Sequence, residues 1–323
     1  MSSNVAIIGA GQLGSRHLQG LANCATPLSI FLVDPSAASI ATAQERFAAV
    51  PASKNHILHT VGAINDLPRD LELVIVACTA DYRFGVYGNL LKYTEPRVIL
   101  LEKVLFQDLD QYPQAIELAA ASRSQTIVNL AQRYWPFFRI LKSQVANKSE
   151  LSITITGSNW GLGCNAVHNV DIAEFIWGMP GQTTARLDGA LRESKRANCH
   201  EFTGTIETLI AGGGRLTQTS YSDGQAPFVI TVQTPDFIWV WDVSHSKSHR
   251  ADPKSGWGFV SSEMIAPYQS NLTTGLIEDI LAGRGTELPD LVTASGIHVN
   301  TLSEILNNCR ANGHDFGRIC PVT

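Results

Sequence analysis

The feature that most restricts the fold of this chain is a glycine-rich turn near its start. Val5–Ile8 is a short apolar run, residues 9–14 read GAGQLG, and Ser15–Ala22 has a helical pattern. Gly9 permits a sharp turn after a strand, and Gly14 allows the following helix to pack closely against that strand. This order of strand, tight turn and helix predicts the first unit of a doubly wound α/β sheet.

Apolar runs and helical patterns continue to alternate after the turn. Further strands are predicted at Leu28–Val33, Leu71–Ala77, Val98–Leu101 and Thr126–Leu130, and helices at Ile40–Val50, Gly85–Leu91 and Tyr112–Ala121. Continuous apolar strands separated by helices are typical of a parallel sheet that is covered on both faces. We therefore predict an α/β Rossmann domain, a doubly wound parallel sheet, over residues 1–125.

The pattern changes in the second half of the chain. Strands follow one another at Ser152–Thr156, Thr203–Ile210, Arg215–Tyr221, Phe228–Gln233 and Phe237–Val243, and helices are expected at Phe137–Ala146, Val167–Trp177, Thr273–Leu281 and Thr293–Arg310. Turn signals between the strands favour hairpins. Residues 126–323 are therefore predicted to form an α+β domain with a large, mostly antiparallel sheet.

The glycine turn and an acidic residue after the second strand indicate a dinucleotide. Gly11 would let the backbone approach a pyrophosphate at the helix N-terminus. Asp34 follows Gly14 by twenty residues and would bind ribose hydroxyls and repel a 2′-phosphate, and Pro35–Ser39 contains no Arg or Lys. These residues favour NAD over NADP. FAD proteins share the turn, and a strand–turn–helix that binds nothing is the remaining alternative. The predicted cofactor-binding residues are Gly9, Gly11, Gln12, Leu13, Gly14, Asp34, Thr79, Glu102 and Lys103.

Glu102 and Lys103 come directly after the fourth predicted strand. The carboxyl end of a strand in a doubly wound sheet faces the cofactor crevice. Lys103 could hydrogen-bond a substrate oxygen or assist a proton transfer, and Glu102 would fix or tune it. The alternative is a solvated surface pair.

These motifs, with others downstream, resemble the Gfo/Idh/MocA family, which is named after glucose-fructose oxidoreductase, inositol dehydrogenase and a rhizopine catabolism protein. The resemblance covers nearly the whole chain. Residues 101–104 match the family's Glu-Lys-Pro motif except that Val104 replaces Pro. Asn129 and Arg133–Pro136 are similar to the family's segment at the domain junction. Gly161–Gly178 is similar to its glycine-rich turn and helix.

The resemblance implies an NAD-dependent oxidoreductase in which Lys103 and His168 are catalytic. Lys103 would polarise the substrate oxygen and His168 would exchange its proton. Two further positions depart from the family: Cys164 stands where many relatives carry Asp, and Phe84 where they often carry His. A thiol cannot orient or charge-stabilise His168 as a carboxylate does, so Asn165 and Asp171 are the candidates to replace it. The predicted substrate-binding residues are Lys103, Arg133, Tyr134, Trp160, Asn165, His168 and Asp171.

Several of these residues have structural alternatives. Arg133 could bind a carboxylate or phosphate or form a structural ion pair. Tyr134 and Trp160 could be packing residues, although Trp160 could also stack on a sugar. The polar segment His245–Arg250 could contact a phosphate-bearing substrate, such as a nucleotide-linked sugar, or be a solvated loop; a metal site is not predicted there because no third ligand is evident.

Composition excludes some classes of function. The net charge is −5, so no nucleic-acid partner is expected. The longest apolar runs are too short to span a bilayer, no basic leader is evident, and the six cysteines form no C-x-x-C pair. We expect a cytoplasmic protein with no membrane partner and with reduced thiols.

Alternation places Phe237, Trp239 and Trp241 on one face of a predicted strand, and such an aromatic face must be covered. In the resembled family this sheet often packs against a second subunit, so the resemblance implies that a homodimer or homotetramer covers the face; helices of the same chain are the alternative. The second domain is thus predicted to serve substrate binding and oligomerisation.

The glycine turn and Asp34, taken together with the resemblance, therefore imply NAD-dependent oxidation or reduction at a secondary alcohol or ketone of a sugar, cyclitol or (nucleotide-)sugar derivative. Two alternatives remain. One is an NAD-binding sensor without turnover, and the other is an enzyme that retains its NAD during an epimerisation or elimination.

Overall fold

A computed structural model describes residues 2–145, 150–178, 181–194, 196–210 and 213–323. Over these described residues, the chain divides into two units. The first comprises Met1–Ala131 and Pro267–Ser295, and the second comprises Gln132–Ala266 and Gly296–Thr323.

The helices of the two units follow the predicted periodicity. In chain order they are α1 (Gln12–Ala22), α2 (Ala37–Ala48), α3 (Ala80–Tyr93), α4 (Gln111–Ala121), α5 (Pro136–Val145), α6 (Leu162–Trp177), α7 (Gln269–Leu281) and α8 (Leu291–Ala311). Each predicted helix has a counterpart among them. The predicted end of the fifth helix, Ala146, lies outside the described residues.

The first unit is built on a parallel sheet. Its strands are β1 (Ser3–Ile8), β2 (Leu28–Val33), β3 (Ile57–Val61), β4 (Leu73–Val76), β5 (Val98–Leu101) and β6 (Gln125–Val128). Their spatial order is β3-β2-β1-β4-β5-β6, and every neighbouring pair is parallel. The predicted doubly wound sheet is confirmed. The sequence did not predict β3, because this edge strand is largely exposed and lacks a continuous apolar run.

The structure divides the chain differently from the predicted boundary at residue 125. β6 pairs with β5 and so completes the first sheet. The chain later returns to the first unit, where α7 packs on α1 and the Thr274 hydroxyl donates to the Gly20 carbonyl at 2.8 Å. A boundary drawn at one point in the sequence cannot describe a unit made from two separate segments.

The second unit contains a large mixed sheet. Its strands are β7 (Ser152–Ser158), β8 (Gln182–Leu187), β11 (Gly204–Leu209), β12 (Arg215–Tyr221), β13 (Val229–Gln233), β14 (Ile238–Asp242), β15 (Lys247–Ala251) and β16 (Val260–Glu263). Their order is β16-β15-β14-β13-β7-β12-β11-β8. All neighbouring pairs are antiparallel except β7 and β12. Two short strands, β9 (Arg192–Glu193) and β10 (His200–Glu201), form a separate ladder. The predicted, mostly antiparallel sheet is confirmed.

Helix α5 covers the aromatic face of β14. The ring centroid of Phe137 lies 4.4 Å from that of Trp239 and 4.9 Å from that of Trp241. Both tryptophans are buried, and so is Phe237. The interpretation that a second subunit covers this face is therefore wrong, because an amphipathic helix of the same chain already buries it.

We expect Trp241 to be a major source of stability in the second unit. Its side chain is fully buried, and its indole N–H donates to the Met264 carbonyl at 2.8 Å. Trp241→Ala should lower the free energy of unfolding by about 3–5 kcal/mol through the cavity it leaves. Trp257→Ala, which removes a half-exposed ring, is the matched control and should cost under about 1 kcal/mol. Equal losses in urea unfolding would contradict the assignment of this core.

Candidate functional site

The three glycines of the turn have different local requirements. Gly9 has φ +101°, and a Cβ there would lie 2.7 Å from the Cys78 amide nitrogen. A Cβ on Gly14 would lie 1.7 Å from the Gly9 carbonyl oxygen. Gly11 is different because it is exposed and has φ −61°, and a Cβ added there would have no atom within 4 Å. The fold thus requires Gly9 and Gly14, whereas Gly11 leaves open space beside the N-terminus of α1, where anions bind.

Asp34 is held beside this turn by backbone donors. One carboxylate oxygen accepts from the Ala10 N–H at 2.6 Å and the other from the Ser36 N–H at 2.7 Å. These contacts fix a negative charge at the carboxyl end of β2, next to the glycine turn. Arg46, farther along α2, donates to the Gln12 side-chain oxygen at 2.9 Å. The Gln12 side chain is therefore already engaged within the protein.

The remaining predicted cofactor residues lie at the same edge of the sheet. Thr79 is the N-cap of α3 after β4, and Lys103 follows β5. Because β2, β1, β4 and β5 are parallel neighbours, their carboxyl ends meet along one crevice. The structure thus places the glycine turn, Asp34, Thr79 and Lys103 at one edge, as the sequence predicted.

Glu102 differs from its neighbour Lys103. Glu102 is only 2% exposed, so the alternative of a solvated surface pair is wrong. Its Oε1 lies 2.7 Å from His17 Nε2 on α1 and also accepts from the Asn129 side-chain amide. His17 Nδ1 in turn lies 2.9 Å from the hydroxyl of Thr273 on α7. The carboxylate therefore joins elements of the first unit and is directed at His17 and Asn129.

This environment keeps Glu102 ionised. Burial alone would raise the pKa of its carboxyl. The hydrogen bonds with His17 and Asn129, together with the electrostatic interactions with His17 and Arg83, outweigh burial and lower the pKa below its ordinary value. This network could not be predicted from the sequence, since a histidine within a helical pattern does not show which distant side chain it contacts.

In the second unit, the candidate residues cluster at the start of α6. Gly161 has φ +79° and is the N-cap. The Cys164 thiol contacts the Gly161 carbonyl at 3.5 Å, and the Asn165 amide donates to the Trp160 carbonyl at 3.1 Å. His168 lies one helical turn after Cys164 and is partly exposed. The thiol and the amide thus help to shape the turn that begins this helix.

Arg133 and Asp171 form the ion pair that the sequence left as an alternative to substrate binding. The guanidinium donates to both Asp171 oxygens, at 2.8 and 2.6 Å, and also to Glu174. Asp171 is fully buried. Burial, together with the charge of Glu174, raises the pKa of the Asp171 carboxyl to about 7 despite the opposing effect of Arg133.

Two further aromatic candidates have packing contacts. The Trp160 indole N–H donates to the Thr219 carbonyl at 2.9 Å, and its ring contacts Phe228. The Arg139 guanidinium lies 5.9 Å from the centre of the Tyr134 ring. Trp160 is therefore a packing residue, which is the alternative to its stacking on a sugar.

The segment His245–Arg250 does not form a joint binding cluster. Residues from Lys247 onward belong to β15, so the expectation of a loop is wrong there. His245 pairs with Asp242 and His249 with Ser261, each at 2.8 Å, while Arg250 stacks on Phe237. Successive strand residues face opposite sides of a sheet, which separates His249 from Arg250.

No group of three or more His, Cys, Asp or Glu side chains in the described ranges could hold a metal ion. None of the helices in those ranges combines the length and apolar character that crossing a bilayer requires.

Solved structures share this fold across almost the whole chain. A UDP-N-acetylglucosamine 3-dehydrogenase from Acidithiobacillus ferrooxidans is 14% identical with a TM-score of 0.70, and the match covers 97% of this chain and 99% of the other. A levoglucosan dehydrogenase in complex with NADH and levoglucosan is 15% identical with a TM-score of 0.73, covering 97% and 98%. An oxidoreductase from Agrobacterium radiobacter, in complex with NAD⁺, L-tartaric acid and magnesium, is 13% identical with a TM-score of 0.73, covering 97% and 98%. No protein-family model and no curated protein matches the sequence. At these identities the likeness shows the fold, which is the one that the resemblance to the Gfo/Idh/MocA family implied.

We expect Glu102→Gln to destabilise the first unit by about 3 kcal/mol at neutral pH, because it removes one partner of a buried pair. Since the folded pKa is lowered, this contribution is fully present above the unfolded pKa, near 4.5, and declines as pH falls through the folded pKa. Urea unfolding of both proteins at several pH values measures it.

Glu72→Gln is the matched control for this measurement. It breaks a half-exposed pair with Arg97 and should cost under about 1 kcal/mol. Equal losses in the two variants, or a Glu102→Gln loss that grows on acidification, would contradict the buried-pair assignment.

Proposed function

We propose that this protein is an oxidoreductase that uses NAD to interconvert a secondary alcohol and a ketone on a sugar, cyclitol or sugar derivative. The observation that carries the proposal is the open space at Gly11 beside the N-terminus of α1, with the Asp34 carboxylate fixed next to it. A pyrophosphate and a ribose require these two features side by side.

The structural neighbours support the same cofactor and substrate class. Two of them are described with NAD⁺ or NADH, and the molecules named with the three neighbours are a UDP-linked sugar, an anhydrosugar and a hydroxy acid. All of these molecules carry secondary hydroxyl groups. These neighbours support the proposed function through their shared fold. The site residues of this chain support it separately.

The fixed position of Asp34 favours NAD over NADP. Its two oxygens are held by the Ala10 and Ser36 amides, so the carboxylate cannot move away from a 2′-phosphate without losing both bonds. It would instead accept hydrogen bonds from the ribose hydroxyls. When bound, NAD would supply the hydride acceptor or donor.

Lys103 and His168 are the proposed catalytic residues. The Lys103 ammonium would donate a hydrogen bond to the substrate oxygen and stabilise its developing charge. His168 would exchange the hydroxyl proton, since an ordinary imidazole titrates near neutral pH. We propose no direct substrate contact for Glu102 or Arg133, because the other buried groups described above already hold them.

The Cys164 thiol is the observation that favours a second candidate function. A thiol in place of the expected carboxylate favours a protein with altered proton transfer, either a sensor or an enzyme that retains its NAD. Dinucleotide released on denaturation, with no net NADH formed from any polyol, would favour these alternatives.

We expect NAD⁺ to stabilise the protein by about 2.7 kcal/mol at 100 times its Kd, and NADP⁺ to do so far less. Gly11→Ala should fold normally but lose this response, because the new methyl group occupies the space of the pyrophosphate. Gly85→Ala, in the exposed middle of α3, adds a methyl group in equally open space and should keep the response. Thermal unfolding with each nucleotide measures the shift.

A polyol panel followed by NADH absorbance completes this test. If neither nucleotide raises the Tm of the unmodified protein, the proposed function is wrong.

We also propose a homodimer, or a homotetramer built from dimers, formed through the sheet face that lies opposite α5. Thr154 and Thr231 are cross-strand neighbours on this face and are partly exposed. Thr154→Arg combined with Thr231→Arg should yield monomers in light scattering, since buried like charges repel. Thr60→Arg, on exposed β3, is the control. A monomeric unmodified protein would contradict the proposal.

A further inference from the structure

Arg83 is a buried cation near the start of α3. The residue is only 2% exposed. The guanidinium donates to the carbonyl of Cys78, and through its other terminal nitrogen to the carbonyls of Val104 and Leu105, the last at 2.9 Å. Its acceptors therefore include backbone groups of two separate loops.

These two loops follow neighbouring strands at the candidate site. Cys78 comes after β4, and its backbone lies against Gly9 of the glycine turn. Val104 and Leu105 come after β5. Arg83 thus fixes the loop after β5 to the loop that supports the glycine turn. A planar guanidinium has donors for several acceptors at once, which the single ammonium of lysine cannot match in geometry.

Lys103 lies between two anchored residues. On one side, the Glu102 carboxylate is held by His17 and Asn129. On the other side, the Val104 carbonyl is held by Arg83. Glu102 and Val104 are buried, whereas Lys103 is partly exposed. The backbone is fixed on both sides of the one residue in this stretch that solvent can reach.

We propose that Arg83 is a positioning residue for Lys103: by holding the carbonyls that follow Lys103, it sets where the ammonium group presents its hydrogen bonds. This inference rests on the proposed function, in which Lys103 contacts the substrate oxygen. In this role Arg83 acts through Lys103, because its donors are directed at the backbone carbonyls of Cys78, Val104 and Leu105.

A double-mutant cycle tests this role. Arg83→Gln should lower kcat about 100-fold, the loss that a misplacement of about 1 Å can cause, and raise KM less. In the Lys103→Ala background, the same substitution should have little further effect on kcat, because the group that it positions is gone. Arg83→Lys should restore part of the loss. Arg69→Gln, an exposed arginine at the opposite edge of the sheet, is the matched control.

Hydrogen exchange supplies a readout that does not depend on turnover. Arg83→Gln should speed amide exchange in residues 102–106 relative to the rest of the first unit, and Arg69→Gln should not. If the unmodified protein has no activity but this local change occurs, the proposed function fails and the anchoring stands. If kcat falls equally in both backgrounds, or exchange in residues 102–106 does not change, the positioning role is overturned.

Discussion

The hydrogen bonds of the buried Glu102 carboxylate are the interactions on which the first unit depends. A charge that is 2% exposed requires donors, and they come from His17 on α1 and from Asn129 after β6. His17 then reaches Thr273 on α7, a helix that the chain forms some 250 residues later. One carboxylate thus fixes the helix that carries the glycine turn, the end of the sheet and the returning segment. It also fixes the residue before the candidate catalytic lysine.

The sequence predicted the parts of this arrangement that periodicity and turn chemistry control. The strands of the parallel sheet other than β3, the glycine turn and Asp34 all follow from local patterns. Because parallel strands end at one edge, the meeting of Gly11, Asp34 and Lys103 also followed without any knowledge of long-range contacts. β3 and β16 were missed for a shared reason: exposed edge strands have no buried face to impose an apolar pattern.

Periodicity indicates that a side chain is buried, but it does not identify the neighbour that buries it. The aromatic face of β14 was correctly predicted to be covered, yet the cover is α5 and not a second subunit. The same holds for polar groups. Arg133 was singled out as a charged residue at the junction, but only the fold shows that Asp171 and Glu174 receive its hydrogen bonds. His17 and Arg83 gave no signal, because their partners lie far away in the sequence.

The departures from the family pattern have different structural consequences. At Val104, the chain keeps a fully buried residue whose carbonyl Arg83 holds, so the loop after β5 remains anchored. At Cys164, the thiol contacts the Gly161 carbonyl. Asp171 cannot take over the missing carboxylate's task, because both of its oxygens accept from Arg133 and the side chain is fully buried. The residues proposed to hold a dinucleotide and to present Lys103 thus match the pattern that the resemblance implies, whereas the position four residues before His168 does not.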